Sequence, residues 1–142
     1  MNDEGIRSLA LFFFYAFPDP IRSLQAASRA ADVYYAKVKK KDFKNSAQAL
    51  VQSSFEVWNK THLQMPRGKV TYSPVSGFIV PAGIELKIWH QFQQTAPDEE
   101  LLMVIWSQIL KISDKDIAES LEMSPGTVRY RTARGLVKLG LK

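Results

Sequence analysis

Arg131, Arg134 and Lys138 recur at spacings of three and four residues. On a helix that spacing lines three cations along one side, a stripe able to follow a phosphate backbone. Just ahead of them, Ser124, Pro125 and Thr127 read as the opening of the same helix. Ser124 suits an N-cap and Pro125 a first-turn position. The hydroxyls of Ser124 and Thr127, with the free N–H groups of a first helical turn, suit a phosphate oxygen. With Val128 turned inward, Arg129 and Tyr130 project outward. There Arg129 could bridge to a guanine and Tyr130 could pack on a thymine methyl.

The charge distribution points the same way. Between positions 98 and 122, Asp98, Glu99, Glu100, Asp114, Asp116, Glu119 and Glu122 stand against only Lys111 and Lys115. From 123 onward, Arg129, Arg131, Arg134, Lys138 and Lys142 meet no acidic residue. A basic helix set on an acidic support is expected of a DNA-reading element. Across the switch in sign, Ile117, Ala118, Leu121, Met123 and Val128 have the spacing of a helix-turn-helix. Ala118 must be small where the two helices cross, and the other four fill the wedge between them. Glu122 falls where the turn needs a positive φ, which costs a non-glycine residue about 1 kcal/mol.

Other chemistries are poorly served. The chain has 142 residues, no cysteine and only two histidines, His62 and His90, so neither a thiolate site nor a zinc site is expected. It holds no carboxylate pair, no nucleophile with a positioned base and no glycine-rich phosphate loop. We therefore expect no enzyme, no catalytic residue, no metal and no cofactor. A net charge of +5 favours an anionic partner. The longest apolar run, Leu9 to Phe17, is well short of the roughly twenty residues that span a bilayer. The start Asn2-Asp3-Glu4 is not that of a signal peptide. No membrane association and a cytoplasmic location follow as expectations.

The fold class expected is mostly α. Gly5 to Phe17 is apolar on nearly all sides and belongs in a core or against a partner. Asp19-Pro20 caps a second helix to about Lys39, with an apolar face of Ile21, Leu24, Ala27, Ala31, Tyr34, Tyr35 and Val38. The lysines that follow, Lys37, Lys39, Lys40, Lys41 and Lys44, complement the C-terminal end of that helix or contact phosphate. A third helix starts at Asn45 or Ser46 and runs to near Lys60, with Leu50, Val51, Phe55 and Trp58 as its stripe. From 64 to 83, prolines and glycines break any helix, and 69–72 with 78–80 form a β-hairpin or an ordered linker. Ile84 to Gln94 reads as another helix. Three parts are expected: a helical module at 1–63, a Pro/Gly-rich hairpin or linker plus helix at 64–96, and a helix-turn-helix domain at 97–142. Within the last, Asp98 opens one helix and Ser113-Asp114-Lys115-Asp116 forms a capping box for the next.

The run Lys115-Asp116-Ile117-Ala118-Glu119-Ser120-Leu121-Glu122-Met123-Ser124-Pro125-Gly126-Thr127-Val128-Arg129, continuing to Leu136 with Arg131 and Arg134, resembles region four of bacterial sigma factors of the extracytoplasmic-function type. Gly126-Thr127-Val128 with the two arginines is its most specific part. The resemblance implies recognition of a promoter while attached to bacterial core RNA polymerase. Upstream, 47–55 looks like the region-two helix by which that family docks on the polymerase. This implies Leu50, Gln52 and Phe55 as docking residues, although Gln48, Ala49 and Ser53 stand where the family has acidic ones. For the family's promoter-melting helix the nearest candidates are Trp89, His90 and Phe92. Ser124, Pro125, Thr127 and Val128 with Lys138-Leu139-Gly140 also look like LuxR-type regulators.

The expected function is sequence-specific binding of double-stranded DNA in transcription initiation, as a divergent sigma factor or sigma-like accessory protein. The alternative is a polymerase-independent regulator in which residues 1–96 sense a signal or form a homodimer through Phe12-Phe13-Phe14. A third class is a module that only holds other proteins.

Overall fold

The computed structural model describes residues 3–40, 45–64, 79–80 and 84–140. They are mostly helical. The helices are α1 (Asp3–Ala16), α2 (Pro20–Val38), α3 (Ser46–Thr61), α4 (Leu86–Thr95), α5 (Asp98–Val104), α6 (Asp114–Leu121) and α7 (Pro125–Lys138). A short 3₁₀ turn, His62–Gln64, extends α3, and Ile79–Val80 pairs antiparallel with Ile84–Glu85 just before α4. Most of the hairpin expected from 69–72 and 78–80 lies outside the described residues, as do Lys41 and Lys44 of the lysine cluster.

Most helix starts follow from one side chain each. Asp19 accepts from the N–H groups of Ile21 and Arg22 at 2.9 and 3.3 Å, with Pro20 in the first turn of α2. Asn45 caps α3 through Gln48 N–H at 2.8 Å. Each cap satisfies donors that a helix cannot satisfy internally. α5 starts without a side-chain cap, behind Pro97, with Asp98, Glu99 and Glu100 in its first turn.

The core begins with α1. Leu9, Phe12 and Phe13 are fully buried, so Phe12 and Phe13 are core residues, not a dimer surface; Phe14 alone of that run is exposed. The face of α2 also differs from expectation. Its buried residues are Ser23, Ala26, Ala30 and Tyr34, whereas Ile21 and Leu24 are each 70% exposed. Close approach of α1 decides this. Ser23 Oγ donates to the Phe13 carbonyl at 2.9 Å, and a Cβ on Gly5 would sit 2.8 Å from the Tyr34 ring. Small residues permit that approach and large aliphatic ones would block it. Ile21 and Leu24 therefore turn outward, beside a shallow apolar groove lined by Leu11, Phe14 and Ala27.

Helix α4 is tied to the end of α1. Trp89 Nε1 and Gln93 Nε2 both donate to the Tyr15 carbonyl, at 2.9 and 2.8 Å, supplying partners to a C-terminal helix carbonyl. Trp89, His90 and Phe92 are buried, so the candidates for a promoter-melting surface are interior residues. Burial lowers the pKa of His90 from 6.5, and the hydrogen bond that His90 Nδ1 donates to Gln93 Oε1 opposes this only in part. The folded state thus favours neutral His90, while the unfolded chain takes up a proton as pH falls through about 6.5. The contribution of His90 is complete above that pH and is lost below it. Thermal melts at about pH 7 and about pH 5 should show a smaller acid-induced drop in His90→Gln than in the native protein. An equal drop would remove His90 as a cause.

One hydrophobic core runs from Leu9 to Leu139 and crosses the boundary expected near Thr95-Ala96-Pro97. Trp106 lies at its centre, stacked on Phe12 at 5.7 Å and edge-on to Phe55 at 6.2 Å, with its indole N–H on Ser54 Oγ at 3.0 Å. The chain around it, Ile105–Ile109, is a wide π-helical turn, closed by Leu110 N–H to the Ile105 carbonyl at 2.9 Å. Helix α5 is thereby cut short at Val104, and Lys111 turns the chain with φ 59° toward α6.

Candidate nucleic-acid interface

Helices α6 and α7 are joined by Glu122, Met123 and Ser124. Ser113 caps α6 by accepting from Asp116 N–H at 3.1 Å, while its hydroxyl donates to Asp116 Oδ2. Glu122 ends α6 in the left-handed region, φ 56° and ψ 47°, and Met123 N–H returns to the Ala118 carbonyl at 3.0 Å. Ser124 then caps α7 through Thr127 N–H at 3.1 Å, with Pro125 in the first turn. Ile117, Ala118 and Val128 are buried between the helices, and Leu121 and Met123 are partly so.

Polar contacts hold α6 on α3. Asn45 Nδ2 and Gln48 Nε2 reach Asp116 Oδ1 at 3.3 and 3.4 Å, and Gln48 also donates to Glu119. This explains why Gln48 is an amide: a carboxylate there would face two others. Ala49 and Ser53 are likewise interior. So is Leu50, while Phe55 is half-buried against Trp58 and Trp106, and Gln52 is half-buried. Of the three docking residues expected, Leu50 and Phe55 are thus engaged in the chain's own core, because α3 is covered by α1, α2 and α6.

In comparisons with known proteins, no family model, curated protein or solved structure matches the chain. The site rests on its own geometry.

The exposed surface of α7 carries Ser124, Pro125, Gly126, Arg129 and Tyr130, with Thr127 and Arg131 half-buried. Among the described residues, neither Arg129 nor Arg131 has a carboxylate partner; Arg131 only approaches Met123 Sδ, at 4.0 Å. Gly126 has no packing reason to be glycine. A Cβ there would meet only Ser124 Oγ, at 3.8 Å. Its bareness leaves the first turn open to close approach from outside.

Arg134 and Lys138 are placed differently from the expected stripe. Arg134 Nε lies 3.4 Å from Glu100 Oε2 and Lys138 Nζ 2.6 Å from Glu100 Oε1. The Glu100 side chain, on α5, is only 5% exposed. Arg134 also donates to the Tyr130 hydroxyl at 3.3 Å and lies 5.7 Å from that ring's centre; Tyr130, then Glu100, favour its charged form. Gly135, between the two cations, lets α7 cross α5 against Val104. A groove of about 840 Å³ remains between the helices, with Pro97, Glu99 and Glu100 on one wall and Thr127, Arg131 and Arg134 on the other. The sequence placed Glu100 in an acidic support and in the first turn of a helix, where a carboxylate suits the helix dipole. Nothing local marks it, since its partners are 34 and 38 residues away.

Proposed function

We propose that the chain binds double-stranded DNA through a helix-turn-helix formed by α6 and α7, with the first turns of α7 entering the major groove. One observation carries this reading. The N-terminal half of α7 is a capped, largely exposed helix start that presents Arg129 and Arg131 without carboxylate partners among the described residues, beside a glycine no internal contact requires. Free first-turn N–H groups and hydroxyls suit phosphate, and Arg129 suits the edge of a guanine.

The process served is transcription, in one of two settings. Promoter recognition with core RNA polymerase is supported by the resemblance of 115–136 to sigma region four. Polymerase-independent regulation is favoured by the burial of Leu50, Trp89 and Phe92, which withdraws the surface a region-two docking or melting element would use. Co-elution of the full chain with bacterial core RNA polymerase separates them. Stable association supports the first, and binding of DNA by the free protein alone supports the second.

The DNA reading is tested with Arg129→Ala. Once a preferred site has been selected from random duplexes, this variant should lose about 1–3 kcal/mol of discrimination at one base pair. Undiminished preference at every position would take Arg129 out of the interface. A folded native protein that binds no duplex at low salt would end the proposal.

A further inference from the structure

We infer that Glu100 is a positioning residue for the DNA-facing helix: it holds Arg134 and Lys138 against α5, so that contact with DNA falls to Arg129 at a base edge and Arg131 at phosphate. This rests on the DNA-binding reading above. The geometry that carries it is a buried carboxylate with each oxygen engaged by a different cation of α7, one turn apart. Arg134 and Lys138 cover Glu100 from solvent while their own side chains stay 52% and 40% exposed. Drawing both away to reach phosphate would leave an uncompensated carboxylate in the interior. That penalty exceeds what a screened surface contact returns. Together the three groups offer DNA a single net positive charge.

The same contacts orient the exposed aromatic of the interface. Arg134, anchored on Glu100, donates to the Tyr130 hydroxyl. Glu100 thus fixes the position of α7 across α5 and, through Arg134, the direction of Tyr130. Of the four cations expected to touch DNA, two serve to hold the helix that presents the other two.

The test is the salt dependence of binding to a labelled duplex of mixed sequence, between about 50 and 200 mM salt. Each phosphate contact contributes a slope of about 0.9 in a plot of log affinity against log salt. Arg131→Ala should flatten the slope by about that amount, whereas Arg134→Gln should leave it unchanged. Glu100→Gln frees two cations and should steepen the slope, and Glu100→Asp should restore the native value. A purely structural role for Glu100 would not move the slope in a folded variant. If Glu100→Gln does not fold, Arg134→Gln decides, since Lys138 still covers the carboxylate. Equal flattening by Arg134→Gln and Arg131→Ala would overturn the inference while leaving DNA binding intact. Absence of duplex binding by the folded native protein would overturn both.

Discussion

Replacing Trp106 by alanine should lower the unfolding free energy by about 3–5 kcal/mol, and the loss should fall on the whole chain at once. The indole is fully buried, and it joins three parts of the molecule: Phe12 of α1, Phe55 and Ser54 of α3, and the wide turn that leads to α6. Its removal leaves a cavity that well-packed aromatic neighbours cannot close, and it orphans the Ser54 hydroxyl from its indole donor. Denaturant titration followed both by circular dichroism and by fluorescence of the remaining tryptophans, Trp58 and Trp89, would check this. Coincident transitions at lower denaturant are expected. If the C-terminal helices instead melted at the native midpoint while the rest unfolded early, the core would not be a single cooperative unit.

A leucine at Gly135 should cost about 3 kcal/mol, at the upper end of what overpacking causes. A Cβ at that position already falls 2.6 Å from Val104 Cγ2 and 3.4 Å from both the Glu100 carbonyl oxygen and Phe92 Cζ. Val104 is fully buried and β-branched, so it has little freedom to rotate away. The relief available is for α7 to lift off α5, which would draw Arg134 and Lys138 from Glu100. Alanine provides the sharper comparison. Gly→Ala inside a helix ordinarily stabilises by up to about 1 kcal/mol. At Gly135 the sign should reverse, whereas at Gly126, where a Cβ meets only Ser124 Oγ at 3.8 Å, it should not. Melting temperatures of the two alanine variants would show it; equal gains at both would refute the close crossing.

Much of the fold and of the candidate interface was legible because capping acts over two or three residues. Asp19, Asn45, Ser113 and Ser124 each bond a backbone N–H two or three positions on, and Glu122 occupies the left-handed position that the spacing around it demands. The faces of the helices were less legible. Ile21 and Leu24 fit an apolar stripe as well as Ser23, Ala26 and Ala30 do, and periodicity alone does not say which face a neighbour will approach. Small residues won on α2 because α1 comes too close for large ones.

By itself the sequence determined the mostly helical class, the starts of α2, α3, α6 and α7, and the capped, basic character of the last helix. These follow from local hydrogen bonding, backbone preference and the order of charges along the chain. Only the tertiary structure decided that Phe12, Phe13, Leu50, Trp89 and Phe92 are interior, and that one core runs through all three expected parts. It also decided that two of the four cations assigned to DNA are bound to Glu100. The physical reason is the same in each case. A charge or an aromatic ring is read as exposed until a distant partner is known, and burial and pairing are set by contacts between residues far apart in sequence.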